Sequence, residues 1–463
     1  MGRRDVIITT CDYFSMMIKV CVSTKLLFRR YMVPHLTTAL SGPLLDLEQH
    51  ILDSMPAIEH WMRGQWRDHE APFYASVDLR NSGFKLAPVD TNLFPGGFNN
   101  LNPEFLPLCV QAATSAIEKI CPEAQKLLII PENHTRNTFY LQNVATLHLI
   151  MRQAGLNVRI GSINPDITSP VQMALSNGSS ILIEPVSRLG QRLTLPDFDP
   201  CAVLLNNDLS AGIPEILKGL DQWLLPPLQA GWAVRRKSTH FSQYDGVADE
   251  FAQLLGVDPW LINPYFSAVE GVDFSAGNEQ VDLAAAVDDI LARTRKKYQE
   301  YGIENRPFVI IKADAGTYGM GIMSVHEASE VLQLNRKQRN RMAIVKEGLK
   351  VSRVMVQEGV YTFENINEAV AEPVVYMMDH YVVGGFYRVH TNRGQDENLN
   401  APGMHFVPLA FETACCLPDP AECPEVLTNR FYAYGVIARL ALLAAARELE
   451  DTLSSVEAIQ AAV

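Results

Sequence analysis

From Leu44 to about Trp66 apolar residues recur at helical spacing, through Leu45, Leu47, Ile51, Leu52, Met55, Ile58, Trp61 and Met62. The pattern predicts one or two amphipathic helices, with Pro56 as a kink or break. The stretch that follows, SVDLRNSGFKLAPVDTNLFPGGFNNLNPEF, is crowded with Gly, Pro, Asn and Asp and holds little apolar periodicity. It reads as a loop, too polar for a core and too long for a simple turn. KLLIIPENHTRN then gives a buried strand, Leu127 to Ile130, ending in a polar loop; a helix follows from about Thr138 to Gln153, and LNVRIGSI is a second short strand. That succession is a βαβ unit. The rhythm returns in SSILIEPV and in AVLLNNDLSAGIPEIL, where a strand at Ala202 to Leu205 runs into Asn206, Asn207 and Asp208. Ligands in open α/β sheets bind at the carboxyl ends of strands, so Glu132, Asn133, Arg136, Asn206, Asn207 and Asp208 are expected on the ligand-facing edge.

Between about Leu224 and Tyr301 the chain turns helical and polar, and from Arg306 it becomes rich in strands. The tail NRFYAYGVIARLALLAAARELEDTLSSVEAIQ is an Ala/Leu-rich amphipathic helix whose Arg439, Arg447 and Glu448 predict packing on the surface. The fold class expected is α/β, an N-terminal βαβ region joined to a C-terminal α+β region. Residues 1–31 read as an N-terminal extension, 32–230 as an α/β substrate-binding region, 231–305 as a helical connection, 306–430 as a nucleotide-binding region and 431–463 as the terminal helix. The opening segment is broken by Lys19, Lys25, Arg29 and Arg30. Its apolar patches fall short of the roughly 20 residues that span a bilayer and lack the unbroken core of a signal peptide. Met32 begins a more conventional start.

At 463 residues and 48% hydrophobic content the chain has room for several packed units. Lys and Arg number 39 against 52 Asp and Glu, a net charge of −13. That balance argues against nucleic acid or an anionic membrane as a partner. Eight cysteines lie scattered without C-x-x-C spacing, which fits reduced thiols in a cytoplasmic protein. Cys415, Cys416 and Cys423 are either a redox switch or small apolar fillers. His134, His240 and His405 have no metal-ligand spacing, so no zinc site is expected.

RPFVIIKADAGTYGMGIMSV places a β-branched strand, Phe308 to Ile311, directly before Lys312 and a loop with Gly316, Gly319 and Gly321. Glycines let backbone N–H groups approach phosphate oxygens, and the lysine adds a positive charge at the same place. The loop is not a Walker A motif, which would read G-x-x-x-x-G-K-[ST]. Further on, RVMVQEGV gives an apolar strand, Val354 to Gln357, ending in Glu358; an edge segment of this kind would offer Gln357 and Glu358 backbone groups to an adenine ring. Then come Arg388 and, ten residues on, Asn398, with Asp396, Glu397 and Asn400 beside it. Such oxygen donors near a phosphate site suit Mg²⁺. Together these features predict a site for ATP and its metal.

In these motifs the sequence resembles the ATP-grasp superfamily: the IIKADAGTYGMGI loop, the VQEGV strand and the Arg-to-LNAPG end motif. The end motif is similar both to bacterial glutathione synthetases and to D-alanine ligases, and the two analogies point to Asn398 and to Asn400 respectively as metal ligand. From about Met32 the chain is similar to the proteobacterial-type glutamate–cysteine ligase family. That resemblance is carried by SVDLRNSGFKLAPVDTNLFPGGFNNLNP, IPENHTRN, GWAVRRKSTHF and GVDPWLINP with the glycine loop. It implies an ATP-grasp-like C-terminal region and ATP-dependent joining of the γ-carboxylate of L-glutamate to the amine of L-cysteine, through an acyl phosphate.

In that chemistry Lys312, Arg388 and Mg²⁺ would neutralise the phosphoryl group in transfer. Glutamate also carries an α-carboxylate and an α-ammonium, which call for a guanidinium and an acidic or amide counterpart. The candidates are Arg80, Lys85, Arg136, Arg235, Arg236 and Lys237, with Asp90 for the ammonium and Asn92 beside it in the substrate site. The RRK run of Arg235, Arg236 and Lys237 reads equally as a solvated helix face. A ligase for another acid or amine and an inactive nucleotide-binding protein are the alternatives, and the Ala-rich terminal helix offers a face on which an oligomer could form.

Overall fold

The computed structural model describes residues 36–37, 43–133, 137–274, 280–316, 321–343, 350–409 and 430–461. Its core is divided among three sheets, of six, four and seven strands. In the six-stranded sheet the order is Trp223–Leu225, Ala202–Asn206, Lys126–Pro131, Asn157–Ser162, Ser180–Pro185, Val171–Ala174, parallel throughout except for the last pair. Leu127 to Ile130 and Ala202 to Leu205 are at most 1% exposed. Strands covered on both faces read as unbroken apolar runs, which is why these were legible in the sequence. The helix Thr138–Gln153 makes the crossover; the Asn137 side chain caps it by accepting from the Tyr140 N–H. The α/β class and the βαβ unit expected from the sequence are present.

The four-stranded sheet is antiparallel, in the order Phe266–Glu270, Arg353–Glu358, Val309–Ala313, Ile322–Val325. The helix Val281–Glu300 lays Leu283, Val287, Ile290 and Leu291 on Val309, Ile311, Val354 and Val356. Thus the segment that reads as a helical connection contributes a strand and a backing helix to the same unit as Lys312. The Arg353–Glu358 strand lies inside this sheet, paired on both edges, and is not the edge segment expected.

The seven-stranded sheet corrects the reading of the polar stretch after Trp66. That stretch is a hairpin of two buried strands, Tyr74–Asn81 and Leu86–Asn92, closed by Ser82 N–H donating to Lys85 C=O at 2.9 Å with Gly83 at φ 81°. The Tyr74–Asn81 strand pairs with Ala369–Met378, which pairs in turn with Tyr381–His390. Ala75, Val77 and Leu79 alternate into the core, while Ser76, Asp78 and Arg80 share the other face. Periodicity was hidden because the face away from the core is polar as well as covered.

The terminal helix, Arg430–Ala461, does not pack on the surface. Nearly every residue from Tyr432 to Leu449 is buried, with Ile437, Leu440 and Leu443 at 0% exposure, against the helix Lys237–Leu255 and the apolar face of the hairpin. Its alanines permit that close approach. The charges that predicted a surface position are paired: Arg439 with Glu59, Arg447 with Glu250, and Glu448 with Arg235 at 3.0 Å and His240 at 3.2 Å. Among the described residues no helix is long and apolar enough to cross a membrane. Because Glu448 and Arg235 are 2% and 4% exposed, removing one strands the other's charge. Glu448→Ala should therefore lower unfolding free energy by about 3–5 kcal/mol in urea titration, and Arg235→Met added to it should restore most of that loss.

Candidate functional site

Side chains from all three sheets line one cleft of about 780 Å³. Strand alternation delivers Ser76, Asp78 and Arg80, Glu372, Val374 and Tyr376, and Phe386 and Arg388 from the seven-stranded sheet. The four-stranded sheet supplies Ile310, Lys312, Ile322 and Gln357, and the carboxyl edge of the parallel sheet supplies Glu132, Asn206 and Asp208. Asn133 and Asn207 do not line it. The approach of elements is tight enough to demand glycine at particular points. A Cβ on Gly97, at φ +110°, would lie 2.8 Å from the Tyr376 hydroxyl, and one on Gly359 would lie 2.3 Å from the Phe308 ring.

The charges of the cleft form a connected network. Arg388 Nη1 donates to Asp78 Oδ2 at 2.8 Å and to Glu372 Oε1 at 2.5 Å. Glu372 Oε2 accepts from Arg80 Nε at 2.9 Å, and Arg80 also donates to the carbonyls of Val360 and Glu397. Burial pushes Glu372 up, but Arg80 and Arg388 outweigh it and hold its pKa below the usual carboxylate value. For Asp78 burial wins over Arg388, and its pKa is raised. Burial likewise pulls the Arg388 guanidinium down, and Asp78 and Glu372 more than restore it.

A second pair lies alongside. Lys237 Nζ is 2.5 Å from Asp90 Oδ1, and Lys312 Nζ donates to the Val89 carbonyl at 2.6 Å. Burial pushes Asp90 up, yet Lys237 and Lys312 bring it to about 2. Lys312 is the reverse case: burial draws it from its ordinary 10.5 down to about 8, in spite of Asp90 and Asp78. The hydrogen bond described for this lysine goes to a carbonyl, where Lys237 and Arg388 meet carboxylates.

Of the residues singled out from sequence, Arg80, Asp90, Asn92, Lys237, Lys312, Gly316, Gln357, Glu358, Arg388, Asn398 and Asn400 line the cleft together. Gly319 and Arg136, like Cys415, Cys416 and Cys423, lie outside the described residues. Gly321 is not a lining residue; at φ 63° it turns the loop back, its carbonyl accepting from Ala313 N–H. Lys85 is also absent from the lining. It is 0% exposed, 2.8 Å from Glu358 Oε2 and 4.4 Å from the Trp260 ring centroid. Glu358 is thereby held by Lys85, by Trp260 Nε1 at 3.0 Å and by the Tyr265 N–H at 3.0 Å. The Glu358 N–H is itself spent on the Tyr265 carbonyl at 2.7 Å, so this backbone group is not open to a base.

Arg235 is buried against Glu448 and the Thr91 carbonyl, and Arg236 donates back to the carbonyls of Trp232, Val234 and Arg235. Neither lines the cleft, so the RRK run contributes Lys237 alone. Asp396 is bonded to His326 and Glu397 to Arg393 and the Gly394 N–H; these carboxylates also stand apart from the lining. Asn398 Oδ1 accepts from the Asn400 N–H at 3.0 Å. Sequence reading missed Asp78 and Glu372, the acids that hold Arg388. The available signal was an acid inside an apolar run, as in AVAEPVVYMM, since a charge is buried there only with a partner. Among the described residues no three His, Cys, Asp or Glu converge as a ready-made metal centre.

The family model for glutamate-cysteine ligase matches residues 48–449. A protein of Methylobacillus flagellatus KT that bears the name of a gamma-glutamylcysteine synthetase is 68% identical in sequence; the match covers 91% of this chain and 99% of that one, with a TM-score of 0.84. A glutathione synthetase-like effector of Globodera pallida covers 74% of this chain and 77% of its own at 10% identity and a TM-score of 0.34. D-alanyl-alanine synthetase A of Vibrio cholerae covers 68% and 81% at 10% identity and a TM-score of 0.31. A comparison with curated proteins gives no match. With the family model spanning most of the chain and a 68% identical fold covering 91% of it, the protein belongs to the glutamate–cysteine ligase family.

Proposed function

We propose that this cleft phosphorylates the γ-carboxylate of L-glutamate with ATP and that the amine of L-cysteine displaces the phosphate, giving the γ-glutamyl amide, ADP and phosphate. The observation that carries the reading is that Lys312, Gly316, Arg388, Asn398 and Asn400, distant in sequence, line one cavity with paired acids and bases around them. A carboxylate is a poor electrophile, so its activation needs a better leaving group. Transfer of a phosphoryl group brings several negative charges together, and its cost falls where fixed cations already stand.

Lys312 is the group proposed to meet the phosphates. A negative ligand beside it would raise its depressed pKa and hold the ammonium charged. Arg388 and Arg80, fixed by Glu372 and Asp78, would orient the phosphoryl group or the acid at hydrogen-bond range without losing rotamer freedom on binding. Asp90, ionised at neutral pH by Lys237 and Lys312, is proposed for the glutamate ammonium, with Lys237 facing the α-carboxylate. Asn92 would complete that contact.

For Mg²⁺ the donor chemistry fits: Asp78, Asn398 and Asn400 face the cleft with a carboxylate and two amide oxygens, and this metal is commonly held by one or two carboxylates together with substrate phosphates. These three residues would hold it, taking the place of Asp396 and Glu397, and the ion would supply charge neutralisation to the triphosphate. The net charge of −13 supports small-molecule substrates over nucleic acid. Unpaired Cys109, Cys121 and Cys201 fit a reducing, cytoplasmic setting.

Phosphate release from ATP tests the assignment. Glutamate plus cysteine should stimulate it well above glutamate alone, whereas stimulation by a different amine and none by cysteine would sink cysteine as the acceptor. Lys312→Ala should lower kcat/KM by about a hundredfold or more with far-ultraviolet dichroism unchanged; turnover at the wild-type rate would remove Lys312 from the site. The depressed pKa of Lys312 has a second consequence. Between about pH 8 and its ordinary 10.5 the unfolded chain holds a proton that the folded one has shed, so its contribution to stability rises with pH across that window. Lys312→Met should accordingly be more stable than the parent at pH 7 in denaturant titration, with the gap closing towards pH 10.5; a gap constant with pH would contradict the depressed value.

A further inference from the structure

The helix Lys237–Leu255 begins without a local cap, since the side chain of Arg236 before it makes no capping hydrogen bond. Its first N–H groups are met from a remote part of the chain. Asp314 lies two residues beyond Lys312 and is 1% exposed. Its carbonyl accepts from the Lys237 N–H at 2.7 Å, its Oδ1 from the Ser238 N–H at 2.7 Å and its Oδ2 from the Ser238 hydroxyl at 2.7 Å. Arg353 Nε stands 2.6 Å from the same Oδ2, and the Asp314 N–H donates to the Arg353 carbonyl at 3.2 Å. A carboxylate here satisfies donors that the helix cannot and faces the positive end of its dipole. A short polar side chain at position 236 would do the same locally. The distinctive point is that this acid comes from the strand that bears Lys312.

The helix start that Asp314 holds is also the one that brings Lys237 into the cleft. Lys237 Nζ reaches Asp90, and Lys312 Nζ reaches the carbonyl of Val89, the preceding residue of the same strand. The contacts close into a ring: from Lys312 along the chain to Asp314, across to Ser238 and Lys237, over to Asp90, and through Val89 back to Lys312. Lys237, Asp90, Val89 and Lys312 line the cleft, whereas Asp314 does not. Its effect on chemistry must therefore pass through the two lysines, whose separation it fixes. Attack of a carboxylate on phosphorus needs both reactants held almost in contact, and a misplacement of about 1 Å can cost about a hundredfold in rate.

We propose that Asp314 is a positioning residue: its carboxylate locks the start of the helix bearing Lys237 to the strand bearing Lys312, and so sets the glutamate and phosphate subsites at the distance phosphoryl transfer requires. The inference rests on the assignment of Lys312 to ATP and of Lys237 to glutamate. Without the carboxylate each lysine keeps its own contact with the Leu86–Asn92 strand, so each ligand still finds its cation. Their joint geometry is what loosens.

Three variants of the full chain, Asp314→Ala, Asp314→Asn and Ser238→Ala, test this by phosphate release with ATP, glutamate and cysteine, by calorimetric titration with β,γ-methylene ATP alone, and by thermal unfolding. In Asp314→Ala kcat should fall about tenfold or more, while the analogue binds within about twofold of wild type. Asp314→Asn keeps an oxygen for the Ser238 N–H and should bring kcat back to within about threefold of wild type. Ser238→Ala removes a single hydrogen bond and should lower kcat about threefold, again with nucleotide binding unchanged. Wild-type kcat in Asp314→Ala, or in Ser238→Ala should Asp314→Ala fail to fold, would overturn the positioning role. So would a loss of analogue binding as large as the loss of kcat that Asp314→Asn does not repair, for that is the mark of a residue needed only for folding. A wild type that releases no phosphate with glutamate and cysteine would overturn the ligase reading and this inference with it, a result visible before any substitution is made.

Discussion

Arg388 keeps its charge at any pH a protein meets, and its place on a buried sheet face obliges two acids to share that face. Asp78 and Glu372 answer it from neighbouring strands, and Glu372 draws Arg80 into the same set. Charges this deep are tolerable only when paired and hydrogen-bonded. The strands that bear them come from residues 74–81, 369–378 and 381–390, so remote parts of the chain must meet in one register. A slip of one residue would send each of these side chains into the apolar layer behind. The network that lines the cleft with charge is thus the one that makes the fold specific.

The layer behind the sheet explains how so polar a face is kept rigid. The terminal helix presses Ile437, Leu440 and Leu443 against the apolar side of the hairpin, and its buried acid Glu448 is tied to Arg235 and His240. Lys85 does a similar service at the other margin. It reaches Glu358 at the end of the Arg353–Glu358 strand, with Trp260 alongside, and so joins the hairpin turn to the sheet that carries Lys312. Cations on the Arg80-to-Lys85 segment that look alike in sequence divide by depth: Arg80 reaches the cleft and Lys85 holds its margin together.

How much of this could be read beforehand follows from what burial does to sequence. Strands covered on both faces by hydrocarbon, such as Leu127 to Ile130, announce themselves, and the glycine loop after Lys312 does so by composition. The hairpin Tyr74–Asn81 and Leu86–Asn92 does not, because its second face is buried under charge and amide groups that imitate a loop. Asp78 and Glu372 are not legible locally, because the cation that requires them, Arg388, meets them only through strand pairing across the sheet. Asp396 and Glu397, conspicuous by clustering, bond to His326, Arg393 and Gly394 instead. The terminal helix misled through Arg439, Arg447 and Glu448, whose partners on Glu59, Glu250 and Arg235 no local pattern could supply.

The decisive measurement is the fate of the γ-carboxylate oxygens of glutamate during turnover with ATP and cysteine. Glutamate labelled with ¹⁸O at that group should yield inorganic phosphate carrying one labelled oxygen, seen by mass spectrometry or by the isotope shift in ³¹P resonance, since forming and breaking an acyl phosphate leaves one carboxylate oxygen on phosphorus. Phosphate free of label would show that the acid is never phosphorylated and that the cleft works by some other route.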